Sequence, residues 1–184
     1  MTARIEPAAR PYDDDMEKTL ENLMPPGVEP LVLFRTLARN PRVFRRFMAG
    51  GLLDKGAISL REREIVIDRT CARCGSEYEW GVHIAFFGEK AGFGPVEIAA
   101  TVAPGADAAC WSQREKLIIR LVDQLHETNT IDDELWLALA AEFSDDQLLE
   151  MIVLTGLYHM VSFTVNATKL PMESYAARFP DAAT

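Results

Sequence analysis

Residues 60–93, LREREIVIDRTCARCGSEYEWGVHIAFFGEKAGF, hold most of the side chains in this chain that are able to do chemistry. Glu79 and His83 are four apart, so on a helix they project from one face within hydrogen-bonding reach. A carboxylate beside an imidazole raises its pKa and orients it, which suits a general acid or base. Ser76 precedes His83 by seven residues and falls on the same side, about two turns away. Glu64 is a second carboxylate that reaches the same place if two helices pack antiparallel, a reversal Gly75 permits. Each of these residues also has a plainer reading. Ser76 and Glu79 form a Ser-x-x-Glu capping box, Glu64 belongs to the charged run Arg61–Glu64, and a lone helical histidine is often structural. Tyr78 and Trp80 fit a core or an interface as well as a substrate pocket.

Cys71 and Cys74 make a Cys-x-x-Cys, a redox motif where a helix N-terminus or a cation lowers a thiol pKa. Here the pair falls at a helix C-terminus, where the dipole acts the other way, although Arg73 lies between them. The alternative is two small residues packed near a turn. A metal held by Cys71, Cys74 and His83 lacks a fourth cysteine or histidine at finger-like spacing, so no metal and no cofactor is expected. His126 and His159 lie in apolar helical segments and read as core or interface residues, either able to approach His83.

The elements that position these groups read as helices, with strand signals nearly absent. The expected helices run over Asp14–Met24, Glu29–Arg39, Pro41–Ala49, Leu60–Arg73, Glu77–Ala91, Pro95–Val102, Gln113–Glu127 and Asp132–Glu142. A long one capped by Ser144 reaches about Leu170, where Pro171 stops it. Capping boxes at Ser59/Glu62, Ser76/Glu79 and Ser112/Glu115 mark three starts. The chain divides into an arm (1–28), a helical bundle (29–170) and a frayed tail (171–184).

A hydrophobic content of 48% with 26% charged residues argues for a globular domain rather than disorder. A formal net charge of −9 argues against nucleic acid and anionic membrane as partners. Asp13, Asp14 and Asp15 follow an opening without an apolar stretch, so no signal peptide is expected. The apolar run Met151–Val165 is short for a membrane span. Three cysteines do not make a disulfide framework, and a reducing cytoplasm is the expected location.

The segment around Glu64, Cys74-Gly75-Ser76-Glu77-Tyr78-Glu79-Trp80 and His83 resembles the carboxymuconolactone decarboxylase/alkylhydroperoxidase D superfamily, in a "YEW" subgroup. Leu121–His126 and Gly156–Met160 resemble that subgroup too, so the likeness spans roughly Pro30 to Met172. It implies an all-α bundle with a helix-hairpin core and a homo-oligomer, trimeric or hexameric. In that signature a glutamate lies twelve residues before Cys-x-x-Cys-x-x-x-His, which places Glu64 and His83 in the motif. Ser76 and Glu79 then stand where the redox cysteines would be, and neither can form a disulfide. The resemblance leaves three readings. One is a lactone-decarboxylase-type lyase on a small anionic molecule, with His83 as acid/base, Glu79 and Glu64 as its carboxylates, and Ser76 and Tyr78 beside the substrate. Arg61, Arg69 or Arg73 would anchor the anion. The second is a thiol-dependent hydroperoxidase using Cys71 and Cys74. The third is a non-catalytic oligomer that binds a ligand in the old pocket.

Overall fold

A computed structural model describes residues 3–12 and 14–180; Met1, Thr2 and Asp13 of the arm and 181–184 of the tail lie outside the described residues. Among these the chain is all helical, with no strand. The helices are α1 (Asp14–Asn22), α2 (Val32–Leu37), α3 (Pro41–Ala49), α4 (Leu60–Arg73), α5 (Glu77–His83), α6 (Pro95–Val102), α7 (Gln113–Thr128), α8 (Asp133–Glu142) and α9 (Asp145–Thr168). Their starts follow the local chemistry of the sequence. Asn40 accepts from the Val43 amide ahead of Pro41, while Ser59/Glu62, Ser112/Glu115 and Ser144/Gln147 form reciprocal capping boxes.

The centre of the bundle is α4, which packs against α5, α6, α7 and α9. Ile65, Val66 and Ile67 are fully enclosed, and so, unusually, are Glu64, Asp68 and Arg69. Charges inside a core must find partners. Arg69 does so with four hydrogen bonds, donating to both oxygens of Asp123 at 2.6 and 2.8 Å and to the carbonyls of Thr101 and Ala103 at 3.1 and 2.6 Å. The α4–α5 reversal depends on Gly75, whose φ of +62° lets the Ser76 amide donate to the Cys71 carbonyl at 2.8 Å.

The tail is laid down rather than frayed over its described part. The Ala177 amide donates to the Gly81 carbonyl at 3.0 Å, and Phe179 stacks at 5.1 Å from Trp80. A Cβ at position 81 would meet the Ala177 oxygen at 2.1 Å, so only glycine fits there. With 24 residues, α9 is long and apolar enough to cross a membrane by length and composition, longer than the run Met151–Val165 suggests. Its inner face instead joins the core through Leu148, Met151, Leu154, Tyr158, Val161 and Val165.

Candidate functional site

His83 is where α4, α5 and α9 meet. Its Nδ1 lies 2.8 Å from Glu64 Oε2 and its Nε2 lies 2.9 Å from the Tyr158 hydroxyl. Glu79, one turn before it on α5, brings Oε1 to 3.6 Å from Nε2. The other oxygen of Glu64 accepts from Arg63 at 2.8–2.9 Å, and Arg63 also donates to the Leu53 carbonyl at 2.6 Å. Asp68, one turn beyond Glu64, is enclosed with both carboxyl oxygens unpartnered.

The capping box expected at Ser76/Glu79 does not form. Ser76 takes φ −92° and ψ 73°, its hydroxyl makes no cap bond, and Glu79 turns to His83 instead. The helix beginning there is also interrupted earlier than the expected Ala91: after His83 the backbone widens into a π-turn over Ile84–Gly88. Such insertions rotate the side chains that follow them and are frequent at functional sites. Here it brings Phe87 to 5.3 Å from the His83 ring.

Burial disfavours a charged His83, but hydrogen bonds from Glu64 and then Glu79 outweigh it and push its pKa up to about 10. The ring is therefore an imidazolium at neutral pH, donating Nδ1–H to Glu64 and Nε2–H towards Tyr158 and Glu79. Burial drives the Asp68 carboxyl well above the usual carboxylate range, against the pull of the His83 charge, and so favours its protonated form. It also raises the Tyr158 phenol far above its ordinary value. Two carboxylates, Glu64 and Glu79, then face two cations, Arg63 and His83.

Glu79, His83 and Tyr158 form the polar edge of a cavity of about 330 Å³ whose other walls include Leu33, Phe34, Phe47, Phe86 and Phe87. Lys90 is a second cation among its lining residues, in addition to His83. The volume and the few convergent polar groups suit a small, mainly apolar molecule. A larger open cleft of about 1030 Å³ near Phe44 and Arg45 contains none of this acid–base machinery.

The remaining sequence candidates stand elsewhere. Arg61 is engaged by Glu115 at 2.6 Å and by the carbonyls of Ala91 and Gly92, Arg69 by Asp123, and Arg73 by Asp123 and Glu127. None of the three lines the cavity, because carboxylates on α7 take their guanidinium groups. Tyr78 accepts from the Leu33 amide and donates to Glu173, tying α2 and the tail to α5. Ser76 is enclosed with its hydroxyl unpartnered. Cys71 is fully buried and Cys74 partly so, neither touches the cavity, and burial raises both thiols. Among the described residues Cys71, Cys74 and His83 do not converge as metal ligands. His126 and His159 bond to each other at 2.9 Å rather than to His83. Sequence reasoning missed Asp68, Tyr158, Arg63 and Lys90. Asp68 had a signal, since it sits four after Glu64 on the same helix face.

Residues 40–123 match the profile of the carboxymuconolactone decarboxylase family. A comparison with curated proteins gives no match. Among solved structures, the chain is similar to an uncharacterized peroxidase-related protein from Silicibacter sp. TM1040, with a TM-score of 0.84, 19% identity and coverage of 97% of this chain and 96% of that one. An uncharacterized peroxidase-related protein from Ralstonia eutropha JMP134, described as an alkylhydroperoxidase AhpD core, gives a TM-score of 0.77 at 17% identity over 94% and 95% of the chains. The debrominase Bmp8, solved as a cysteine-to-alanine variant with 2,3,4-tribromopyrrole, gives 0.70 at 14% identity over 95% and 94%.

Proposed function

We propose that this chain, which belongs to the carboxymuconolactone decarboxylase/alkylhydroperoxidase D superfamily, is a thiol-independent acid–base enzyme that decarboxylates a compact, mainly apolar ring substrate. One observation carries the reading: a charged His83, clamped by Glu64 and Tyr158, stands at the edge of an apolar cavity that no cysteine lines. A debrominase of the same fold held with a substituted pyrrole supports a ring-sized ligand. Lys90 at the rim supplies the positive charge for an anionic substrate. In the reaction, the bond to the carboxylate carbon breaks and carbon dioxide leaves. The electron pair stays on the ring carbon, and His83 Nε2–H delivers the proton to it. His83 becomes a neutral imidazole whose Nδ1–H remains on Glu64, and Glu79 lies where a proton returns to Nε2.

The thiol-peroxidase reading has weaker support, because Cys71 is enclosed and burial holds both thiols protonated. Self-association belongs to the proposal as well: Leu149, Val153, Met160 and Phe163 stand exposed at helical spacing along α9, which sedimentation would test.

The test is His83→Gln, assayed by carbon dioxide release from a panel of small cyclic carboxylated lactones and keto acids. Turnover should fall by about 10²–10⁴-fold, with the fold intact by circular dichroism. Full turnover in the folded variant overturns the acid role, and a cavity that binds these ligands without consuming them shows a binding protein instead.

A further inference from the structure

A second cluster of reactive side chains lies outside this site. Cys74 caps α4, His126 sits in the last turn of α7 and His159 lies midway along α9, three helices packed pairwise on one another. Cys74 Sγ is 3.9 Å from His126 Nδ1, which is 2.9 Å from His159 Nε2, and the ligating atoms of all three fall within 4.8 Å of one another. We propose that Cys74, His126 and His159 bind a zinc ion, leaving a fourth coordination position open to water or a small ligand.

The donor set fits that metal. One thiolate and two imidazoles suit zinc, and an oxygen-preferring magnesium or calcium ion would find no carboxylate among the three. The nearby Asp123 and Glu127 are held by Arg69 and Arg73. Tetrahedral zinc with sulfur at about 2.3 Å and nitrogen at about 2.0–2.1 Å needs ligand atoms roughly 3.3–3.6 Å apart. The present separations, 2.9 Å, 3.9 Å and at most 4.8 Å, bracket that range, so closing the site takes relative shifts of up to about an ångström.

The surroundings already orient the ligands. His159 donates Nδ1–H to the Thr155 carbonyl at 2.9 Å, which fixes the tautomer and aims the Nε2 lone pair at the cluster. Asn166 of α9 donates to the Cys74 carbonyl at 2.9 Å and holds that end of α4 in place. A cleft of about 280 Å³, lined by Thr155, His159 and Phe163 among others, meets the cluster at His159. Binding then balances simply. Zinc replaces the thiol proton, which leaves to solvent, and the His126 proton moves from Nδ1 to Nε2 so that Nδ1 can coordinate.

The experiment titrates the full chain, stripped with chelator, with zinc by calorimetry and with cobalt(II) by absorbance. The expected result is a single ion per chain, a single proton released on binding, and a thiolate-to-cobalt charge-transfer band. Cys74→Ser should abolish the band, and His126→Ala or His159→Ala should weaken zinc by more than about 100-fold, the upper effect of losing an outer-shell partner. Cys110→Ser should change nothing. An unaltered band in Cys74→Ser, or wild-type protein that takes up no zinc, overturns the site. Should a variant misfold, cadmium NMR of the wild type decides: a mixed sulfur–nitrogen signal supports the site and an all-oxygen signal overturns it.

Discussion

His83 is enclosed by α4, α5 and α9 with a carboxylate 2.8 Å from one ring nitrogen, whereas His126 is half-buried with a second imidazole at 2.9 Å and the Arg73 charge nearby. Burial works against the imidazolium in both places. At His83, Glu64 and Glu79 reverse that tendency and raise the pKa; at His126, His159 and Arg73 reinforce it and lower the pKa. Partners, more than depth, therefore decide what an imidazole in this bundle is for. The charged ring beside an apolar cavity is suited to give a proton, and the paired imidazoles beside a thiol are suited to give electron pairs to a metal.

The largest effect should come from making the first region resemble the second. Glu64→Gln keeps the shape but removes the charge that holds His83 protonated. Turnover should fall by about 10²–10⁴-fold. Breaking a buried charge network on one side should also destabilise the fold by about 3–5 kcal/mol. The wild-type linkage has a definite sign. Because the folded pKa of His83 is raised, its contribution is whole below about 6.5 and is lost as pH rises towards about 10. Denaturation of Glu64→Gln across that window should show a flatter profile; an equally steep one would break the assignment.

A smaller effect should follow at Asp68, whose folded pKa is also raised. Its protonated form stabilises the fold below the ordinary carboxyl value, and that contribution is lost as pH rises. Asp68→Asn escapes the loss, so its stability relative to wild type should improve as pH rises above the ordinary carboxyl range. A difference that does not change with pH would mean Asp68 is ionised in the fold. The smallest effect is expected at the thiols. Cys71→Ala should leave turnover within about tenfold, under about 1.4 kcal/mol in the barrier. Abolition of a hydroperoxide-reducing activity by that one change would instead establish dithiol chemistry.

Much of this contrast can be read from the chain, and the unread part has physical causes. Helices α3, α4 and α6 follow their caps and prolines, so Pro41–Ala49, Leu60–Arg73 and Pro95–Val102 are legible to the residue. The helix expected over Glu29–Arg39 is only Val32–Leu37, since Leu31 takes an extended ψ of 143° and stands as its N-cap. The His83–Glu79 pair is legible because one helix face carries it, and Glu64 because Gly75 forces a reversal. Tyr158 was not, being far away in sequence with no local pattern to bring it to His83. Sequence offers the arginines as anchors because spacing gives the face of a helix but not the acids opposite; Asp123 and Glu127 come from α7. The Ser76/Glu79 box satisfied every local rule, yet His83 took its carboxylate.

The account turns on the charge state of His83. Histidine-selective nitrogen-15 NMR across a pH titration reads it directly, with His126 as an internal contrast. The expected result is one imidazole that stays doubly protonated until about pH 10, alongside another that is neutral below its ordinary value. A His83 resonance that titrates with the unperturbed pKa of about 6.5 would contradict the proposed acid role.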